Sequence, residues 1–249
     1  MIRTLIVDDE ELARQIIREY LSGEQDVEIV GECSNGFEAV KVAAQSKPDL
    51  LLLDVQMPKL DGFEVLELLG VGPAVVFVTA YDQYAMKAFD AAAVDYLLKP
   101  FDLERFRTAL QRVRRRLSEG METGVNVMQL GNAARPPGQY AQRVVVKDGT
   151  RVHVIPVEQL EYAEAQDDYV ALHSGGKTYL KQQTISNLAE SLDPERFVRV
   201  HRSYLVNLEL VRNIEPYTKD TRIAVLASGS QIPVSRAGFL RLRELMERA

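Results

Sequence analysis

Asp8-Asp9, Asp54, Thr79 and Lys99-Pro100 each stand directly after a short, nearly all-apolar run in the first half of this 249-residue chain. If those runs are parallel strands of one open sheet, their carboxyl ends share an edge, which is where such sheets bind ligands. Three acids, a hydroxyl and an ammonium would then meet. An acidic, all-oxygen set suits a hard divalent cation, Mg²⁺ above all, which keeps several of its waters. Beside such an ion a carboxylate can attack phosphorus, because the ion offsets the repulsion between two anions. On that chemistry Asp54 is the nucleophile and forms an acyl phosphate. Asp8 and Asp9 hold Mg²⁺ directly or through water, and the backbone carbonyl of Gln56 joins Asp54 in completing the shell. Thr79 donates to one phosphoryl oxygen, Lys99 pairs with another, and the small Ala80 leaves the approach open.

Each position alone has a plainer explanation. An acid pair after a strand is commonly a solvated helix N-terminus, and Asp54 alone is a strand-end cap. The ordered recurrence, each residue following a strand, favours a site. An aspartate-nucleophile phosphohydrolase uses similar chemistry, but its nucleophile lies in an Asp-x-Asp pair after the first strand. Here Asp54-Val55-Gln56-Met57-Pro58 follows the third, which excludes that class.

The elements that must position these groups are readable. Arg3–Val7, Val27–Val30, Leu50–Leu53, Ala74–Val78 and Val94–Leu98 are nearly all apolar and do not alternate, as in strands covered on both faces. Amphipathic segments such as Glu11–Leu21 and Leu103–Leu117 lie between and after them. Five strands alternating with helices predict a doubly wound parallel α/β sheet, flavodoxin-like, over residues 1–118. Residues 119–141, rich in glycine and carrying Pro136-Pro137, read as a linker. Residues 142–249 are a different material. Arg143–Lys147, Arg151–Val157, Tyr169–His173, Thr178–Lys181, Phe197–Val200, Ser203–Val206, Arg222–Leu226 and Gln231–Val234 are short β-branched or aromatic runs. Asp148-Gly149 and Gly175-Gly176 mark hairpins, and only Ile185–Leu192 and Arg236–Glu247 look helical. The expectation is a mostly antiparallel β domain.

A single cysteine, Cys33, excludes an internal disulfide framework. The apolar positions ahead of Asp8-Asp9 are too few for a signal peptide, and no apolar stretch approaches a membrane span. A cytoplasmic protein without a membrane partner is expected. The net charge of −6 is unevenly spread. Residues 1–118 carry 14 basic against 20 acidic side chains, and residues 141–249 carry 15 against 14. The second half is therefore not barred from nucleic acid by bulk charge.

Taken together, Leu5-Ile6-Val7-Asp8-Asp9-Glu10, Leu53-Asp54-Val55-Gln56-Met57-Pro58 with Asp61-Gly62, Val78-Thr79-Ala80 and Leu97-Leu98-Lys99-Pro100-Phe101 resemble a two-component receiver domain. The resemblance implies phosphotransfer from a sensor histidine kinase to Asp54 and a cis Lys99-Pro100 bond. It also implies a switch in which Tyr96 turns inward when Thr79 engages phosphate. In the second half, Phe197–Asn207 (FVRVHRSYLVN), Pro233-Val234-Ser235-Arg236 and Glu164–Val170 resemble the LytTR DNA-binding domain of the LytR/AlgR response regulators. That likeness implies an elongated β fold reading successive major grooves of double-stranded promoter DNA. By position Tyr169, Arg202 and Arg236 fall at the family's DNA contacts, with Lys181 a weaker contact to the backbone. Arg199 and Arg212 read as solvated strand charges. A helix-turn-helix reader is excluded for want of consecutive helices, and Phe239, Leu242 and Leu245 mark the last helix as packing on a sheet.

The expected function is a phosphorylation-controlled transcriptional regulator. It is not an enzyme beyond its own Mg²⁺-dependent phosphorylation and dephosphorylation. The alternative joins the receiver to a protein-interaction or RNA-binding β module. A homodimer on phosphorylation or on DNA is expected. Its surface is the fourth helix (about Gln83–Ala92), the fifth strand and the last helix of the first half, with Lys87, Asp90, Asp95, Asp102 and Arg112 supplying paired salt bridges.

Overall fold

The structure is a computed structural model that describes residues 1–70, 72–80, 93–119, 140–149, 151–218 and 221–247. The expected fourth helix, with Lys87 and Asp90, lies outside the described residues, as does most of the expected linker. The chain divides into two compact units, Met1–Pro137 and Gly138–Ala249.

The first unit is a five-stranded parallel sheet in the order β2-β1-β3-β4-β5, formed by Ile2–Val7, Val27–Cys33, Leu50–Leu53, Ala74–Thr79 and Asp95–Leu98. Every residue of β3 and β4 is buried, which is why these strands read as unbroken apolar runs. Helices α1 (Glu11–Ser22), α2 (Gly36–Ser46), α3 (Gly62–Leu69) and α4 (Leu103–Ser118) flank the sheet. Ile17 and Leu21 of α1 and Phe106, Leu110 and Val113 of α4 close one face over Ile6, Leu52 and Val76. Helix starts are written in side chains that accept the otherwise unpaired first-turn amides. Asn35 caps α2, Asp61 and Glu64 form a reciprocal capping box on α3, and Asp102 caps α4.

The second unit holds three antiparallel sheets. Strands β6 (Arg143–Asp148) and β7 (Arg151–Pro156) form a hairpin. Strands β8 (Leu160–Gln166), β9 (Tyr169–Ser174), β10 (Lys177–Gln182), β11 (Phe197–His201) and β12 (Tyr204–Asn207) form a sheet in the order β10-β9-β8-β12-β11. Strands β13 (Val211–Pro216), β14 (Arg222–Leu226) and β15 (Gln231–Val234) form the third. Both anticipated hairpins are present, with Asp148 opposite Arg151 and Ser174 opposite Lys177. Two strands, β8 and β13, are additional to those the sequence suggests. Glutamate and alanine, poor strand formers in isolation, dominate Leu160–Gln166, and β13 is a polar edge strand ending in Pro216.

One core of the second unit lies beneath α5 (Ile185–Ser191), around Ile185, Leu188, Val170 and Leu205. The other joins β11 and β12 to the third sheet and to α6 (Arg236–Met246), with Leu242 buried and Phe239 and Leu245 packed beside it. The apolar stripe of α6 therefore faces the sheet, as its spacing predicts. No helix among the described residues is long and apolar enough to cross a membrane.

Candidate functional site

Register builds the acidic pocket. Val7 lies opposite Leu53 and Phe77 opposite Tyr96, so the strands end side by side. The ladders run one residue past the strands: Asp54 donates its amide to the Val7 carbonyl at 2.8 Å, and Lys99 donates to the Thr79 carbonyl at 2.8 Å. Carboxylate oxygens of Asp8, Asp9 and Asp54 all lie within 4.8 Å of one another. The Lys99 ammonium sits among them, 2.7 Å from Asp8 Oδ2 and 3.1 Å from Asp54 Oδ2. The Lys99-Pro100 bond is cis, as the receiver resemblance implies. Gln56 follows on the loop after β3 and donates its amide to Asp54 Oδ1 at 3.3 Å. Thr79 is buried at the end of β4, with its hydroxyl close enough to Asp54 to lower that carboxyl. Ala80 is exposed beside it, and Tyr96 is buried in β5.

The electrostatics follow from burial. Loss of water raises the Asp8 carboxyl to about 6 against the opposing pull of Lys99, and Asp54 adds to the rise. Asp54 is also pushed up by burial, with Lys99, the Thr79 hydroxyl and the Gln56 amide opposing. Burial depresses the Lys99 ammonium, but Asp8 and Asp54 more than reverse this and hold it above its ordinary value. Three carboxylates around one ammonium leave an excess of negative charge. That oxygen set fits a hard divalent cation, and the buried Thr79 hydroxyl beside Asp54 fits an anionic oxygen.

Three residues here have roles that sequence reasoning does not give. Glu10 Oε2 is a third acid on Lys99, at 3.1 Å, and its adjacency to Asp8-Asp9 is the available signal. Arg14 on α1 donates to the Asp8 carbonyl at 2.6 Å and fixes the backbone behind the acid pair. Gly62 packs so closely on the Asp54 backbone that a Cβ there would overlap the Asp54 carbonyl oxygen.

The charges expected to pair across a dimer are engaged within the chain. Asp95 is buried and receives both terminal nitrogens of Arg105, at 2.9 and 2.6 Å, with Arg112 at 3.0 Å. Asp102 accepts the Arg105 amide as the cap of α4. Asp95, Asp102 and Arg112 thus have internal partners because β5 and α4 pack against each other, while Lys87 and Asp90 of the expected surface lie outside the described residues.

In the second unit the register gathers three of the four expected DNA residues at one end of the five-stranded sheet. Tyr169 opens β9 opposite Gln166, and the Ala165 amide donates to the Ser203 carbonyl at 2.8 Å. The Asp167-Asp168 and Arg202-Ser203 turns are therefore neighbours. Ser235, the cap of α6, donates both its amide and its hydroxyl to the Val200 carbonyl at 2.9 Å, which brings Arg236 to the same end. Gly238 makes this docking possible, since a Cβ there would overlap the Val200 carbonyl oxygen. Tyr169, Arg202 and Arg236 are exposed. Lys181 is engaged within the unit, where its ammonium donates to the Val145 carbonyl at 2.7 Å and ties β10 to β6. Arg199 is not the solvated charge its strand position suggests, because its guanidinium is bound to backbone carbonyls of the Arg202 turn.

The chain thus joins a parallel 2-1-3-4-5 sheet with an acidic pocket at its carboxyl edge to a β unit with exposed arginines at one end. Residues 4–111 match the response regulator receiver domain family, and residues 150–247 match the LytTr DNA-binding domain family. The chain is 37% identical over 251 residues to the transcriptional regulatory protein BtsR of Escherichia coli (strain K12), covering 98% of each. It is 34% identical over 249 residues to the sensory transduction protein LytT of Bacillus subtilis (strain 168), covering 99% of each. Among solved structures, the response regulatory domain of protein mrkE from Klebsiella pneumoniae is 32% identical, with a TM-score of 0.44, covering 47% of this chain and 98% of that one. The chain belongs to the LytR/AlgR family of response regulators.

Proposed function

We propose that Asp54 accepts a phosphoryl group from a sensor histidine kinase and that this controls binding of the second unit to double-stranded promoter DNA. The phosphoacceptor domain spans residues 1–118, the linker 119–141 and the DNA-binding domain 142–249. An Asp54 carboxylate oxygen forms a bond to phosphorus as the bond from phosphorus to the donor's imidazole nitrogen breaks, and that nitrogen keeps the electron pair. Asp8, Asp9, Asp54 and the Gln56 carbonyl would hold Mg²⁺, which would supply the charge compensation that lets two anions meet. Lys99 exchanges a carboxylate for a phosphoryl oxygen, the buried Thr79 hydroxyl donates to another, and Tyr96 in the neighbouring strand carries the change onward. The protein is a regulator whose only chemistry is on itself. Tyr169, Arg202 and Arg236 meet the DNA, with Lys181 a strand tie and not a phosphate contact. A homodimer forms on phosphorylation or on DNA.

The observation that carries this reading is the convergence of Asp8, Asp9, Asp54 and Lys99 in one buried pocket at the carboxyl edge of the sheet, with the buried Thr79 hydroxyl acting on Asp54. Acetyl phosphate with Mg²⁺ tests it by mass spectrometry. The wild-type chain gains one hydroxylamine-labile phosphoryl group, and Asp54→Asn gains none. Equal labelling of the two proteins, or none in either, rejects Asp54 as the acceptor. The DNA arm is tested by measuring duplex affinity against salt, which falls steeply when arginines displace counterions from phosphates.

A further inference from the structure

Strand β11 contains a bulge whose consequences converge on one side chain. Arg199 pairs with Leu205 and His201 with Tyr204, so Val200 is an extra residue in the ladder. Its carbonyl is taken by Ser235 at the start of α6. The backbone beyond it, which carries Arg202, is instead bound by the Arg199 side chain. Nε donates to the His201 carbonyl at 2.9 Å, one terminal nitrogen donates to the Arg202 carbonyl, and the other lies 3.5 Å from Ser186 Oγ on α5. Arg241 of α6 donates to the Arg199 carbonyl at 2.9 Å from the other side. Among the described residues none of Arg199, Arg202, Arg236 and Arg241 is ion-paired with a carboxylate. Burial and the neighbouring Arg241 depress the Arg199 guanidinium below its ordinary value.

We propose that Arg199 is a positioning residue for DNA specificity, holding the Arg202-Ser203 turn in the conformation from which Arg202 reads a base while making no contact to DNA itself. The inference rests on the DNA-binding reading above and deepens it. A forked guanidinium suits this role, because its fixed donors reach two successive carbonyls at once. A lysine ammonium keeps the charge but is a single point that cannot bridge them in that geometry. Arg199→Lys therefore separates charge from shape.

The test uses the full chain and a duplex that the wild type selects from a randomised pool. Specificity is the ratio of affinity for that duplex to affinity for a scrambled one. Arg199→Lys is expected to lower the ratio by at least ~10-fold, as Arg202→Ala does. The dependence of affinity on salt stays that of the wild type, and the double variant Arg199→Lys/Arg202→Ala is no worse than Arg202→Ala. Retention of the ratio by Arg199→Lys overturns the proposal. So does multiplication of the two effects, which would make the residues independent. A salt slope that falls by about 1 in Arg199→Ala but not in Arg199→Lys identifies a direct phosphate contact and also overturns it. Loss of the cooperative thermal transition in Arg199→Lys assigns Arg199 to the fold at large and overturns it too. If the wild type selects no duplex at all, the DNA reading itself fails, an outcome visible before any variant is compared.

Discussion

Removing Arg105 tests whether the charges at β5 hold the receiver together from within. Asp95 is buried and accepts from both terminal nitrogens of Arg105, and one of these also donates to the Tyr96 carbonyl at 2.7 Å. Breaking a buried ion pair from one side costs about 3–5 kcal/mol, because the remaining charge is uncompensated. Here Arg112 stays at 3.0 Å and the Tyr96 amide at 2.8 Å, and the Arg105 side chain is 39% exposed. The expected loss for Arg105→Ala is therefore about 2–3 kcal/mol. Its pH dependence has a definite sign. Burial raises the Asp95 carboxyl, but Arg105, the Tyr96 amide and Arg112 more than reverse that and hold it below its ordinary 3.8. A carboxyl depressed in the folded state contributes stability above its unfolded pKa and loses it as pH falls through the folded value. The gap between wild type and variant is thus full near neutrality and closes at pH values below 3.8. The chain has no tryptophan, so urea transitions are followed by far-ultraviolet circular dichroism. Hydrogen exchange in Asp95–Leu98 assigns the transition to the first unit. A loss under about 0.5 kcal/mol, the scale of an exposed pair, refutes the reasoning, as does a loss undiminished in acid.

Three further outcomes are expected. Burial first, then Glu38, pushes the Cys33 thiol up to about 12. Ellman's reagent at mildly alkaline pH should therefore label the native chain at least ~100-fold more slowly than the urea-unfolded chain, since the thiolate is the reacting species. Gly62→Ala puts a methyl group against the Asp54 carbonyl. It should lower stability by about 1–3 kcal/mol and slow labelling by acetyl phosphate, both measured on the same preparation. Gly238→Ala forces the start of α6 away from Val200. It should weaken binding to the wild-type-selected duplex while leaving acetyl phosphate labelling unchanged, because its target lies in the second unit.

Much of the receiver is legible in the sequence for a specific reason. Parallel strands covered on both faces must be apolar throughout, so the first acid, hydroxyl or ammonium after each run marks the sheet edge. Although Thr4 and Asp95 are buried polar residues within β1 and β5, Asp8, Asp54, Thr79 and Lys99 are found by the ends of such runs. Their distances depend on strand order and register, such as Val7 opposite Leu53, which no single run encodes. The internal pairing of Asp95 with Arg105 and Arg112 is hidden because it depends on how α4 lies against β5. Strand β8 escapes a reading by propensity because its central place in the sheet, between β9 and β12, overrides the weak strand preference of glutamate and alanine. The role of Arg199 is hidden most deeply. A bulge at Val200 is invisible in Phe197–His201, and without the bulge an alternating arginine reads as a strand charge facing water.

The arrangement of carboxylate partners separates the two units more sharply than net charge does. In the first unit Arg14, Arg18, Arg105, Arg107, Arg112 and Arg114 each have an acid within ion-pair distance. A phosphate approaching any of them must first displace that acid. In the second unit Arg196 and Arg243 are likewise paired, whereas Arg202 and Arg236 are exposed and, among the described residues, have no acid partner. Their full charge is available to an incoming anion without breaking anything. Arg199 and Arg241, bound only to neutral oxygens, add to the positive field at that end while holding its backbone in shape. A unit with 15 basic and 14 acidic residues can therefore still present arginines that no carboxylate among the described residues pairs. What frees these arginines is the lack of a direct carboxylate partner, even though Asp167-Asp168 occupies the neighbouring turn.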